Sequence, residues 1–96
     1  MALFVLTCID KPNALELRMA TREAHFAYAN SFPAGTIRLG GPFLDGAGAM
    51  AGSLIILDVA DLAAARAFNA GDPYQKAGLF ERVEIRPWRV TFGALP

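Results

Sequence analysis

His25 and Asp72 are the residues of this chain with the clearest capacity for chemistry. His25 is the only histidine, and Asp72 lies in the segment Gly71-Asp72-Pro73-Tyr74, which is typical of a turn. A carboxylate that accepts one imidazole N–H fixes the ring tautomer and stabilises the imidazolium formed during proton transfer. If the fold brings the two together, we expect an enzyme that uses His25 and Asp72 as catalytic residues and needs no cofactor. The sequence supports a purely structural turn role for Asp72 equally well.

Further residues are candidates for contact with a substrate. Arg22 lies three residues before His25, so on a helix the two side chains share one side, and Arg18 lies about one turn further back. A guanidinium donates two parallel hydrogen bonds to a carboxylate or enolate, which favours an anionic substrate. Three other residues are candidates. Gly41 would permit a ligand to approach the backbone closely, Ser53 offers a hydroxyl on an interior strand, and Tyr74 offers a ring that could stack on an aromatic ligand. A surface ion pair for Arg22, turn geometry for Gly41 and simple packing for Tyr74 remain open alternatives.

The composition excludes several classes of protein. Nine basic residues balance nine acidic ones along the 96-residue chain, without the basic face of a nucleic-acid binder. No apolar run approaches the roughly 18 residues of a membrane span. One histidine and one cysteine are too few soft ligands for a zinc site, so no metal is expected. The single cysteine, Cys8, is expected to be a buried hydrophobic residue, and with no signal segment at the start we expect a cytoplasmic protein.

The hydrophobic pattern predicts six elements in the order βαββαβ, within a single domain over residues 1–96. The predicted strands are 2–9, 36–43, 52–59 and 80–92, and the predicted helices run from a capping box at Asn13 to about Ser31 and from an N-cap at Asp61 through Ala70. Because proline donates no backbone hydrogen bond, we expect a bulge or an edge position at Arg86-Pro87. On the first helix, the apolar stripe expected to face the sheet consists of Leu17, Ala20, Ala24 and Ala27.

The first and third strands are apolar on both sides, which is typical of interior strands. This agrees with a ferredoxin-like α+β fold, in which an antiparallel four-stranded sheet carries two helices on one face. The opposite face would then lie in water, although 54% of this small chain is hydrophobic. We therefore expect a homodimer that packs sheet against sheet as a dimeric α/β barrel.

Six short segments, taken in order, resemble the YciI-like (YCII-related) family of small bacterial proteins. They are the opening apolar strand, Arg22-Glu23-Ala24-His25, Gly41-Pro42, Gly52-Ser53, Asp72-Pro73-Tyr74 and Val83-Glu84-Ile85-Arg86-Pro87-Trp88. The resemblance implies a dimeric ferredoxin-like barrel, similar in fold to muconolactone isomerase, with a His-Asp active site at His25 and Asp72. It also implies a cofactor-free lyase or isomerase acting on intermediates of aromatic degradation.

Three hypotheses for function follow. In the leading one, His25 removes and returns a proton at carbon next to a carbonyl or enol, Asp72 orients it, and Arg22 with backbone N–H groups stabilises the oxyanion. In the second, the same pocket binds a small metabolite without catalysis. In the third, a hydrogen bond between His25 and Asp72 only ties a helix to a loop.

Overall fold

A computed structural model describes all 96 residues of the chain. Its elements are β1 (Ala2–Asp10), α1 (Leu15–Asn30), β2 (Ile37–Leu44), β3 (Met50–Val59), α2 (Leu62–Gly71), α3 (Pro73–Lys76) and β4 (Phe80–Trp88). The strands form one antiparallel sheet in the order β2-β3-β1-β4. This is the ferredoxin-like α+β fold expected from the sequence, with the first and third strands in the interior.

The two faces of the sheet differ because side chains alternate along each strand. Phe4, Leu6 and Cys8 of β1 lie on the face that carries the helices, together with Ile55 and Leu57 of β3. The buried hydrophobic cluster on this face also includes residues of α2 and α3, the first residue of β4 and the residue before it. Its members are Phe4, Leu6, Cys8, Ile55, Leu57, Ala65, Phe68, Tyr74, Leu79 and Phe80. The helices thus cover one face only. None of them combines the length and apolarity needed to cross a membrane.

The last strand is shorter than predicted. It ends at Trp88 rather than Phe92, because Trp88 pairs with Leu3 and β1 begins at Ala2, so residues further along have no strand to pair with. The expected edge position of Pro87 is confirmed, since β4 is an edge strand. Of the two expected alternatives, the edge position is the one observed. Pairing continues through Pro87, and the register shift in this ladder lies between Ile9 and Asp10.

The first helix begins differently from the prediction. Asn13 does not cap it; the N-cap is Ala14, with no side-chain hydrogen bond, and Asn13 adopts a positive φ of 56° in the preceding turn. Asparagine tolerates this left-handed conformation better than most residues. By contrast, the predicted cap of the second helix is confirmed, because the Asp61 side chain accepts a hydrogen bond of 2.8 Å from the backbone N–H of Ala64.

The buried side of α1 is also not the predicted one. The apolar stripe Leu17, Ala20, Ala24 and Ala27 is exposed. The inner side carries Arg18, which is buried, and His25 and Tyr28, which are half-buried. Polar side chains can face inward here because a pocket and paired charges lie between α1 and the sheet, in place of close apolar packing.

Gly52 provides a test of the pairing between β1 and β3. It is buried opposite Ile9, where a Cβ atom would collide with the carbonyl oxygen of Cys8 and meet the Phe43 ring at 3.0 Å. We expect Gly52→Ala to lower the free energy of unfolding by about 1–3 kcal/mol through overpacking. Urea denaturation measures this change. Gly41→Ala is the matched control, since a Cβ there meets nothing within 4 Å, and equal midpoints for the two variants would contradict the prediction.

Candidate active site

A pocket of about 210 Å³ lies between α1 and the strands β2 and β3. Half of its 14 lining residues are hydrophobic. The pocket includes all but one of the residues singled out from the sequence; the exception is Asp72, which lies behind His25. Elements that are distant in sequence therefore converge on one concave site, as is usual for small-molecule binding.

His25 and Asp72 are in direct contact, 47 residues apart in sequence. The Nδ1 atom of His25 lies 2.8 Å from Oδ1 of Asp72. The Asp72 side chain is only 2% exposed, whereas that of His25 is 14% exposed and lines the pocket. When Nδ1 carries the proton that Asp72 accepts, Nε2 has a free lone pair for a molecule in the pocket. General-base catalysis by an imidazole requires a geometry of this kind.

Asp72 has a second role in the local fold. The same oxygen, Oδ1, accepts a hydrogen bond of 2.9 Å from the backbone N–H of Tyr74, which makes Asp72 the N-cap of the short helix α3. The alternatives of turn residue and histidine partner are therefore both realised. Since Pro73 and the cap hold the backbone, the carboxylate is fixed before any ligand binds.

The Tyr74 ring contacts both His25 and a buried arginine. Its ring stacks on the imidazole with centroids 4.1 Å apart and an angle of 15°. The guanidinium carbon of Arg18 lies 4.6 Å from the centre of the same ring. Burial raises the pKa of the Tyr74 hydroxyl, against the opposing effect of the Arg18 and Arg22 charges. The hydroxyl is thus protonated at neutral pH and can donate a hydrogen bond.

A buried ion pair between Arg18 and Asp10 is the part of the site that the sequence did not predict. Nε and Nη2 of Arg18 donate to the two carboxylate oxygens of Asp10 at 2.7 and 2.9 Å, and Nη2 also donates to Ser53 Oγ at 2.9 Å. Burial acts to lower the pKa of the guanidinium, but Asp10 outweighs it and the pKa is raised. Arg18 is therefore a permanent cation.

Two signals in the sequence point to this pair. Asp10 directly follows a strand that is apolar on both sides, and a carboxylate at the end of an interior strand needs a partner. Arg18 precedes His25 by seven residues, about two helical turns, so both lie on the same side of α1. The apolar stripe that was predicted to face the sheet lies on the other, exposed side of α1.

The remaining predicted contact residues lie at different depths. Arg22 lines the pocket but is exposed, and its guanidinium carbon lies 4.8 Å from the centre of the Phe26 ring; it forms no ion pair with a carboxylate. Gly41 lines the pocket from β2. Ser53 is buried, and its hydroxyl is occupied by Arg18. Their roles in binding stay predictions.

Cys8 is a buried core residue, and the structure contains no cluster of metal-binding side chains. Cys8 is 1% exposed, and burial, reinforced by the nearby Asp72 carboxylate, raises the pKa of its thiol to about 12. The thiol is therefore protonated and inert at neutral pH, as expected for a core residue. No group of three or more histidine, cysteine, aspartate or glutamate side chains is arranged to hold a metal ion.

Comparison with known proteins identifies the family. The sequence profile of the YCII-related domain matches residues 2–89. The chain belongs to the YCII-related family. Among its relatives, Protein YciI of Escherichia coli is 34% identical, with 94% of this chain and 99% of that protein covered. A Haemophilus influenzae protein is 32% identical, covering 93% of this chain and 98% of its own length.

A solved structure of a related enzyme has the same fold. This is TftG of Burkholderia phenoliruptrix, a 5-chloro-2-hydroxyhydroquinone dehydrochlorinase in complex with 2,5-dihydroxybenzoquinone. It is 32% identical to this YCII-related chain, covers 91% of it with 93% of its own length, and superimposes with a TM-score of 0.84. The resemblance to the family inferred from six short segments is confirmed, and so is the fold.

The Arg18–Asp10 pair gives a prediction about stability. We expect Arg18→Met alone to lower the free energy of unfolding by about 3–5 kcal/mol, because it leaves the buried Asp10 carboxylate without a partner. The double variant Asp10→Asn/Arg18→Met removes both charges and should lose much less. Urea denaturation of both variants measures the difference. Arg66→Met, at an exposed position on α2, is the control; a double variant less stable than the single one would contradict this account.

Proposed function

We propose that this chain is a cofactor-free enzyme, a lyase or isomerase, that transfers a proton on a small carbonyl or enol compound of the aromatic-degradation type. The observation that carries the proposal is the 2.8 Å contact between His25 and a buried Asp72 carboxylate at the edge of a pocket. Proton transfer by a positioned imidazole contributes about 10²–10⁴-fold to a reaction rate. The proposed compartment is the cytoplasm, as expected from the sequence.

The proposed chemistry begins with Nε2 of His25. It takes a proton from a carbon next to a carbonyl, so that the electron pair of the C–H bond moves onto the carbonyl oxygen, or it takes the O–H proton of an enol, which leaves the same enolate. Asp72 stabilises the imidazolium that results. In an isomerase, His25 returns the proton to another carbon. In a lyase, the electron pair expels a leaving group from the neighbouring carbon. Arg22 and backbone N–H groups of the pocket are proposed to stabilise the oxyanion.

Two comparisons support a single ring as substrate. TftG is named for the removal of the elements of HCl from a chlorinated hydroquinone, and it binds a dihydroxylated quinone. An apolar cavity of about 150 Å³ holds benzene, so the 210 Å³ pocket here suits one ring with small substituents. Halogenated hydroquinones, cyclic enols and lactones are the first compounds to examine.

We also propose that two copies pack through the uncovered face of the sheet. Val5, Leu54 and Ile56 lie on this face beside a depression of about 310 Å³. At its edges, Leu39 is 47% exposed and Trp88 is 42% exposed. An apolar sheet face of this kind is more stable when a partner covers it, and a twofold axis allows each copy to cover the other.

Substitution of the dyad tests the proposed reaction. Among the halogenated hydroquinones, cyclic enols and lactones, the test uses a compound that the wild type converts. We expect His25→Gln and Asp72→Asn to lower its turnover by about 10²–10⁴-fold. The fold should be retained, because the amide oxygen introduced by Asp72→Asn can still accept the hydrogen bond from the Tyr74 backbone N–H. Absorbance and chloride release measure turnover.

The control for the dyad variants is Glu23→Gln, exposed on the same helix, which should behave like wild type. Undiminished turnover in both dyad variants would contradict the proposal. A ligand bound but recovered unchanged would indicate a binding protein.

Sedimentation equilibrium tests the dimer. The chain has a mass of 10.3 kDa, and we expect the molecular mass measured for wild type to be about twice this value. Trp88→Glu places a charge on the proposed interface and should shift the equilibrium toward the monomer. Met19→Glu is a matched control, since Met19 is 49% exposed but lies on α1. A monomeric wild type, or equal effects of the two substitutions, would contradict this interface.

A further inference from the structure

The hydroxyl of Tyr28 connects α1 to the end of α2, next to the dyad. It donates a hydrogen bond of 2.9 Å to the backbone carbonyl of Phe68, 40 residues away in sequence. Tyr28 lies three residues after His25 on α1, so the two side chains share one side of the helix. Asp72 directly follows the last residue of α2. One hydrogen bond therefore links the helix that carries His25 to the helix end that precedes Asp72.

The Phe68 carbonyl needs this partner because it lies in the last turn of α2. In a helix that continued, it would accept a hydrogen bond from the backbone N–H of Asp72, four residues later. That N–H instead donates to the carbonyl of Asn69 at 3.2 Å. The Tyr28 hydroxyl takes the place of the missing donor, as side chains commonly do at the ends of helices. A side chain of α1 thus completes the last turn of α2, directly before Asp72.

Gly71 leaves the space that this hydroxyl occupies. A Cβ atom at position 71 would collide with the hydroxyl oxygen of Tyr28 and would lie 3.0 Å from the ring carbon that bears it. Gly71 does not have a positive φ, so the backbone conformation does not require glycine here. What glycine provides is the absence of a side chain, which lets the Tyr28 hydroxyl approach the backbone of α2 closely.

The surroundings of Tyr28 hold its ring and keep its hydroxyl a donor. The ring packs edge-on against Phe32 with centroids 5.0 Å apart, and its centroid lies 5.4 Å from that of Phe68. Burial, reinforced by the nearby Asp72 carboxylate, raises the pKa of the Tyr28 hydroxyl, which is therefore protonated at neutral pH. Tyr28 does not line the pocket. It can act on a reaction only through the residues that it holds.

We propose that Tyr28 is a positioning residue: its hydrogen bond to the Phe68 carbonyl, made possible by Gly71, sets the place of Asp72 opposite His25. It is the only hydrogen bond that joins α1 to α2. The contact between Nδ1 of His25 and Oδ1 of Asp72 requires that these helices keep their spacing, and a misplacement of about 1 Å can lower a rate by about 10²-fold. The assignment rests on the proposed function for the role of His25 as a base.

The experiment measures how firmly the dyad is held, without any substrate. Because His25 is the only histidine, its Nδ1–H gives an identifiable NMR signal in the ¹⁵N-labelled chain, and the rate of exchange of this hydrogen with water reports how often the hydrogen bond to Asp72 opens. We expect Tyr28→Phe to raise this rate by about 3- to 10-fold, the range typical of one hydrogen bond between uncharged groups. Thr21→Val is the matched control, since it removes a 2.8 Å hydrogen bond from a hydroxyl to the Leu17 carbonyl within α1.

Gly71→Ala tests the same contact from the side of α2. The added Cβ would displace the Tyr28 hydroxyl, so we expect exchange at least as fast as in Tyr28→Phe. In the double variant Tyr28→Phe/Gly71→Ala, exchange should be little faster than in Gly71→Ala alone, because the hydrogen bond is already lost.

Kinetics give a second measurement and separate the two proposals. For a compound that the wild type converts, Tyr28→Phe should lower kcat by about 3- to 10-fold and leave KM unchanged, since Tyr28 is not part of the pocket. Loss of turnover in His25→Gln concerns catalysis by the imidazole. The exchange of Nδ1–H concerns its positioning, and it is measured whether or not the chain is an enzyme.

Four results would overturn the assignment. Equal exchange rates in wild type and Tyr28→Phe would show that other contacts hold the dyad. An equal effect of Thr21→Val would assign the change to the general stability of α1. Effects of Tyr28→Phe and Gly71→Ala that multiply in the double variant would show that the two residues act separately. A raised KM with an unchanged kcat would assign the effect of Tyr28 to binding.

Discussion

Charges buried beneath α1 must each have a partner, and this constraint organises the rest of the structure. Arg18 and Asp10 neutralise one another at the end of β1, and His25 and Asp72 meet near the start of α3. An unpaired charge in this position would cost several kcal/mol, so neither pair can separate without destabilising a small domain. The two pairs hold α1 above the sheet and to α3, and the space between them is the pocket.

The pocket exists because α1 is not packed as a simple amphipathic helix. Its apolar residues Leu15, Leu17 and Met19 are exposed, while arginine and histidine side chains point inward. Such an arrangement contributes less burial of apolar surface than the opposite one would. Residues that break the general pattern in this way are often those required for function. The ordinary core is supplied by β1, β3, α2 and the start of β4 instead.

The similarity to TftG is evidence for the fold of this chain, but it is weaker evidence for its reaction. A TM-score of 0.84 over most of both chains shows that the backbones follow the same path. Function depends on the side chains in the site, since one fold can support many reactions. In this chain, the proposed proton transfer depends on His25, on the Asp72 carboxylate behind it and on the size of the pocket that His25 lines.

The sequence by itself determined the order of the four strands and the two longer helices, the interior position of β1 and β3, the edge position of β4 and the candidacy of His25 and Asp72. It predicted only a turn where the short helix α3 lies. These features are local: strand periodicity, a proline and rare residue types are readable in short segments. Tertiary structure alone decided which side of α1 is buried, where β4 ends, and that Arg18 pairs with Asp10 and Ser53. Hydrophobic periodicity predicted the wrong side of α1 because it assumes that apolar residues face inward. Whether a polar side chain can be buried instead depends on a partner that only the folded chain brings near, 8 residues away for Arg18 and 47 for His25.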